Sequence, residues 1–178
     1  MRILGIDPGS AATGFGVVDS EAGRLIHVAH GTLRPLPRSS MAERLHYLHQ
    51  AISGVVLDHA PDTAVIEQVF VSANARSALV LGQARGVALA AVCAGGRSVV
   101  EYSASRIKLA VTGNGRADKS QVQNMVRRLL DLDRPPARDA ADALAAAICH
   151  ANAGRIGALT QGARLPAKRA ALRVRRSP

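Results

Sequence analysis

The feature that most restricts the fold is an order of short apolar runs and longer helical patterns. "RILGI" (2–6) is a brief apolar run that stops abruptly at "DPGS". It reads as a buried strand ended by turn chemistry, because Pro presets φ and Gly accepts unusual angles. "TGFGVVDS" (13–20) and "GRLIHVAHGTLR" (23–34) follow as strands joined by a turn, an antiparallel meander. Residues 40–60 place Met41, Leu45, Leu48 and Ile52 at helical spacing, with Ser39 or Ser40 as N-cap. "DTAVIEQVF" (62–70) is the next strand, 73–94 a long Ala-, Val- and Leu-rich helix, and "SVVEYS" (98–103) a further strand. "SRIKLAV" predicts a short helix, and "KSQVQNMVRRLLDL" an amphipathic one capped by Asp118. "ARDAADALAAAICHANAG" predicts a last helix, ended by Gly154. Strands reached through helices pair in parallel, whereas a meander pairs antiparallel. The expected architecture is therefore an α/β domain with a mixed sheet over residues 1–153. Residues 154–178 form a basic C-terminal tail expected to be disordered.

Aromatic residues are 2% of the 178-residue chain, so the core must come from Ala, Val, Leu and Ile. No unbroken apolar run reaches the ~18 residues of a membrane span, and the N-terminus lacks the pattern of a signal peptide. Cys93 and Cys149 are expected as small buried side chains, and two thiols of this kind fit a reducing compartment. The net charge is +10. It is uneven: residues 1–67 hold five bases against seven acids, and residues 68–130 nine bases against two acids. After Asp142 there are seven bases and no acid. A positive middle and tail favour a polyanionic partner, nucleic acid first.

Four acids stand out from that background. Asp7 directly follows the first apolar strand. Glu67 lies inside "VIEQVF", where an unpaired charge is costly. Asp139 and Asp142, at i and i+3, share one face of a helix whose other residues are nearly all Ala, Leu and Ile. Asp7 in a turn, Glu67 beside an arginine and Asp139 at a helix start each have a simpler structural reading. The first and fourth strands, however, are expected to be parallel neighbours, each with its acid in the C-terminal half. Clustered carboxylates raise one another's pKa unless a hard cation binds between them, and Mg²⁺ suits carboxylate oxygens. Two ions ~4 Å apart can serve an in-line phosphoryl displacement, so acids within a basic chain point to a nuclease.

The segments "ILGIDPGSAATGFGVV" (3–18), "AVIEQVF" (64–70), "NARSALVLGQARGVALAA" (74–91), "KSQVQNMVRRLL" (119–130) and "DAADALAAAICH" (139–150) closely resemble the RuvC family of Holliday junction resolvases, in the ribonuclease H-like superfamily. The resemblance implies a mixed five-stranded sheet flanked by helices and a catalytic, metal-binding tetrad of Asp7, Glu67, Asp139 and Asp142. It implies paired nicks in opposing strands of a four-way DNA junction, leaving 5′-phosphate and 3′-hydroxyl ends. The cofactor would be Mg²⁺, with Mn²⁺ substituting, two ions per site. A homodimer, the RuvA–RuvB branch-migration complex as partner, no membrane association and a cytoplasmic, nucleoid-associated location are also implied. Phe70 matches a family aromatic that acts on the junction. Lys108 and Lys119 match lysines near the scissile phosphate. Arg76 and Arg116 are candidates for backbone contacts.

Two departures bear on the site. Phe15 stands where family members often carry Tyr, and Arg138 is placed to pair with Asp139. The competing readings are a nonenzymatic junction binder on the same fold and an actin-like ATPase. The first phosphate loop of the latter resembles residues 5–18, but the chain is short for the two domains such a protein needs.

Overall fold

The computed structural model describes residues 1–68 and 74–162, the last eight of these by backbone alone. Its elements are β1 (Arg2–Asp7), β2 (Thr13–Glu21), β3 (Arg24–Leu33), α1 (Met41–His59), β4 (Thr63–Gln68), α2 (Ala75–Ala94), β5 (Ser98–Ser103), α3 (Ala104–Thr112), α4 (Lys119–Leu129) and α5 (Arg138–Gly162). The sheet order is β3-β2-β1-β4-β5. β1–β2 and β2–β3 are antiparallel, while β1–β4 and β4–β5 are parallel. The expected mixed sheet is present, with β1 at its centre.

Two-residue alternation sends the strands' side chains to two separate cores. Leu4, Ile6, Val17, Ala64 and Ile66 pack with Ile52 and Val56 of α1 and Ala88 and Val92 of α2. Ile3, Val18 and Val65 face the other way, onto Ile107 of α3, Val122 and Val126 of α4, and the Ala-rich side of α5. The helices start where side-chain caps satisfy their first amides. Ser40 and Glu43 form a capping box on α1, Asn74 caps α2, and Asp118 with Gln121 forms a second box on α4.

α5 lies unusually close to the sheet because the strands beneath it carry glycine. A Cβ on Gly5 would run into the Ala143 carbonyl oxygen, and one on Gly14 into the Asp139 carbonyl. α5 answers with Ala140, Ala143, Ala146 and Ala147, all buried.

Two sequence expectations are corrected. Gly154 does not end α5, which continues to Gly162; one glycine costs a helix only ~1 kcal/mol relative to Ala. Cys149 is buried, but Cys93 is exposed on the last turn of α2. α2 is also long and apolar enough to cross a membrane by length and composition, with mean hydropathy 1.5 and 22% of that window buried. Counting unbroken apolar residues misses this, since Gln83 and Arg85 interrupt the run without lowering the average enough. Arg85 ties α2 to the sheet through Glu101 of β5 at 2.6 Å.

The glycine contact predicts a clear contrast. Gly5→Ala should lower unfolding free energy by at least ~2 kcal/mol in urea titration, as an overpacked core does. Gly54→Ala, in α1 with open space around it, should be neutral or stabilise by ~0.5–1 kcal/mol.

Candidate active site

Asp7 is the last residue of β1, and the Ile3–Ile6 segment pairs in parallel with Thr63–Ile66. The next pair in that register would be Asp7 with Glu67. On its other side Asp7 pairs with Gly14, whose missing side chain lets the Asp139 backbone lie against it. The same register and the same glycine therefore bring β1, β4 and the first turn of α5 to one corner. Asp142 is one turn further along α5.

The electrostatics follow from that convergence. Burial pushes the Asp7 carboxyl up to about 7, with further upward pressure from Asp142, Glu67 and Asp139 in that order, and Lys119 opposing. Glu67 is also raised, first by burial and then by Asp142, with Lys119 and Lys108 opposing. The two helix acids have cationic neighbours: Lys119 Nζ lies 3.3 Å from Asp142 Oδ2, and Arg34 Nη2 lies 3.5 Å from Asp139 Oδ2.

These acids do not form a ready-made metal cage. Among the described residues, no three His, Cys, Asp or Glu side chains are placed to hold one ion. The donor set nevertheless fits one in its chemistry. It is all carboxylate oxygen, at least one member is driven towards neutrality by burial and like charges, and a hard divalent cation would relieve both penalties.

The other candidates divide. Lys108 on α3 and Lys119 at the start of α4 act electrostatically on Glu67. Arg76 is exposed in the first turn of α2, where it lines a cavity of about 490 Å³ with Gly9, Ser10 and Ala12 of the β1–β2 turn. Arg116 is exposed, and its backbone N–H donates to Asn114 Oδ1; no contact joins it to the acids among the described residues. Phe70 lies outside the described residues. The expected Arg138–Asp139 pair is replaced by Arg34–Asp139. Arg34 was not singled out from sequence, and it sits 105 positions from its partner.

A mixed five-stranded sheet with acids at the C-terminal ends of its central parallel strands and on an adjoining helix defines the ribonuclease H-like class. The family model for crossover junction endodeoxyribonuclease RuvC matches residues 3–150. A relative of that name from Burkholderia vietnamiensis is 53% identical over 176 residues, covering 99% of this chain and 97% of the relative. Thermus thermophilus RuvC superposes with a TM-score of 0.79 at 32% identity, covering 88% of this chain and 97% of that one. The same protein in complex with Holliday junction substrate gives 0.82, at 32% identity and 88% and 96% coverage. The yeast mitochondrial Holliday junction resolvase Ydc2 shares the fold at 13% identity, with a TM-score of 0.63 and 91% and 81% coverage. The chain belongs to the RuvC family of crossover junction endodeoxyribonucleases.

The raised Asp7 pKa makes a testable statement about stability. Between its ordinary value of 3.8 and about 7, the unfolded chain has released a proton that the folded chain keeps, so stability falls as pH rises. In divalent-free buffer, wild-type unfolding free energy minus that of Asp7→Asn should decline from pH ~4 to ~7 and then level off. A difference that stays flat across that window would refute the assignment.

Proposed function

We propose that this chain is a Holliday junction resolvase, a structure-specific endonuclease that nicks opposing strands of a four-way DNA junction. The observation that carries this reading is the corner where β1, β4 and α5 bring Asp7, Glu67, Asp139 and Asp142 together within a family of junction endonucleases. The family's nucleases depend on a divalent metal. We take it to be Mg²⁺, with Mn²⁺ able to substitute, at two ions per site held by the four acids. When bound, the ions supply Lewis-acid stabilisation of phosphate charge and a water nucleophile at neutral pH.

The chain's own residues do the rest. Asp7 and Glu67 are fixed by strand register, so they hold position with little reorganisation. Asp139 and Asp142 reach the corner from a helix locked to the sheet by glycine. Lys108 and Lys119 offset the site's negative charge and meet the phosphate. The attacking water oxygen bonds to phosphorus as the P–O3′ bond breaks. The products are a 3′-hydroxyl and a 5′-phosphate. Phe70, just past Glu67 in the chain, stacks on unpaired bases at the junction. Arg76 and Arg116 contact the DNA backbone. The nuclease domain spans residues 1–153, and the basic residues of 154–178 add nonspecific phosphate affinity.

Two symmetric nicks call for two sites, and α2 supports a homodimer. Leu79 on α2 is 66% exposed, and the buried residues of this helix are Ala84, Ala88, Ala91 and Val92. An apolar helix left open on one side gains by pairing across a two-fold axis. The cytoplasm, at the nucleoid, is the place of action, with the RuvA–RuvB complex as partner.

Cleavage of an end-labelled synthetic four-way junction in Mg²⁺ or Mn²⁺ tests the activity, with a linear duplex of the same sequence alongside. Paired nicks should appear in the junction alone. Asp7→Asn should lose cutting by at least about a hundredfold, more than loss of a metal ligand's supporting partner, while junction binding survives. Tight binding with no cutting in either metal would instead leave a nonenzymatic junction binder. Sedimentation at micromolar concentration tests the dimer: wild type should run as a dimer and Leu79→Glu as a monomer, and a monomeric wild type would refute it.

A further inference from the structure

Arg34 occupies a position that the four acids alone do not explain. It directly follows Leu33, the last residue of β3, which stands opposite Thr13 in the sheet. The next residue of β2, Gly14, pairs with Asp7 and carries the Asp139 backbone against it. The end of β3 thus delivers Arg34 to the same corner as Asp7 and Asp139. Its Nη2 lies 3.5 Å from Asp139 Oδ2, with the two side chains 62% and 31% exposed. Beyond the pair, Arg34 and Arg44 face a cavity of about 440 Å³ walled by Ala11, Pro35, Leu36 and Pro37.

An ion pair this exposed contributes little to stability. Its effect falls on whatever else binds the same carboxylate. A guanidinium is charged at every working pH, so a divalent cation approaching Asp139 must displace it or sit beside a fixed positive charge. We propose that Arg34 is a positioning residue of the nuclease site: its guanidinium holds the Asp139 carboxylate at the rim and competes with the divalent cation for it. This rests on the reading of the four acids as the metal centre, and it assigns to a residue outside that set control over how tightly the metal loads. The DNA-free protein is then a poor metal binder by construction. Lys119 restrains Asp142 in a similar way at 3.3 Å, but its ammonium reaches from α4, whereas Arg34 belongs to the strap that joins the sheet edge to α1.

The test is Mn²⁺ titration of the DNA-free protein, followed by loss of the aqueous Mn²⁺ paramagnetic resonance signal, so that no cleavage is involved. Arg34→Gln should bind Mn²⁺ about three- to tenfold tighter, the scale of removing one nearby charge at a partly exposed site. Arg34→Lys, which keeps the charge, should stay close to wild type. In an Asp139→Asn background the Arg34→Gln gain should vanish, because the effect runs through that carboxylate. Unchanged or weaker binding by Arg34→Gln, or an equal gain without Asp139, would overturn the proposal. Asp7→Asn separates the two levels of inference. If neither wild type nor Arg34→Gln shows Mn²⁺ binding that Asp7→Asn abolishes, the metal-centre reading fails and this proposal with it. If such binding is present and Arg34→Gln leaves it unaltered, only the role of Arg34 fails.

Discussion

The rest of the structure depends on the bare contact between α5 and the middle of the sheet. Helices normally rest on sheets through a layer of side chains. Here Gly5 and Gly14 remove that layer from the strands, and Ala140, Ala143 and Ala147 thin it on the helix. The helix backbone then touches the strand backbone, which fixes its height and leaves it little freedom to slide. A short rigid acid such as Asp cannot reach far, so two aspartates on α5 can join two strand-end acids only if the helix sits this low. Close packing and site geometry are one feature.

That geometry carries an electrostatic penalty. Asp7 and Glu67 sit where burial already disfavours charge, with two further acids close by, and the Asp7 carboxyl rises to about 7 as a result. The chain offsets the penalty with cations from separate elements: Lys108 on α3, Lys119 on α4, and Arg34 after β3. The positive charge is therefore not only a general attraction for DNA. Part of it balances the acids gathered at that corner.

Much of this was legible in the sequence, for physical reasons that can be named. The meander and the β1–β4 parallel pair follow from short apolar runs joined first by a turn and then through a helix. Asp7 and Glu67 stood out because a carboxylate at the end of or within an apolar strand is an anomaly, and Asp139 and Asp142 because their spacing puts both on one face of an apolar helix. The caps Ser40 and Asp118 follow from local chemistry. What stayed hidden depends on which segments touch. An arginine at a strand end is ordinary until the fold sets it beside an acid more than a hundred residues away. The exposure of Cys93 and Leu79 is a property of how α2 lies on α1 and β5, which composition does not encode. Gly154 shows the limit of local signals, since a single weak residue did not stop a helix whose earlier turns are buried.

The sites's parts also enter the chain in a particular order. The central strand comes first, β4 follows some sixty positions on, and the helix acids come in the last described element. Until α5 docks, Ile3 and Val65 lack that helix's cover and only two of the four carboxylates are in place. A chain in which α5 is undocked thus holds no assembled acid corner. The contact that closes this hydrophobic core is the same one that brings the helix acids to the strand acids, so the acid corner forms only together with the core.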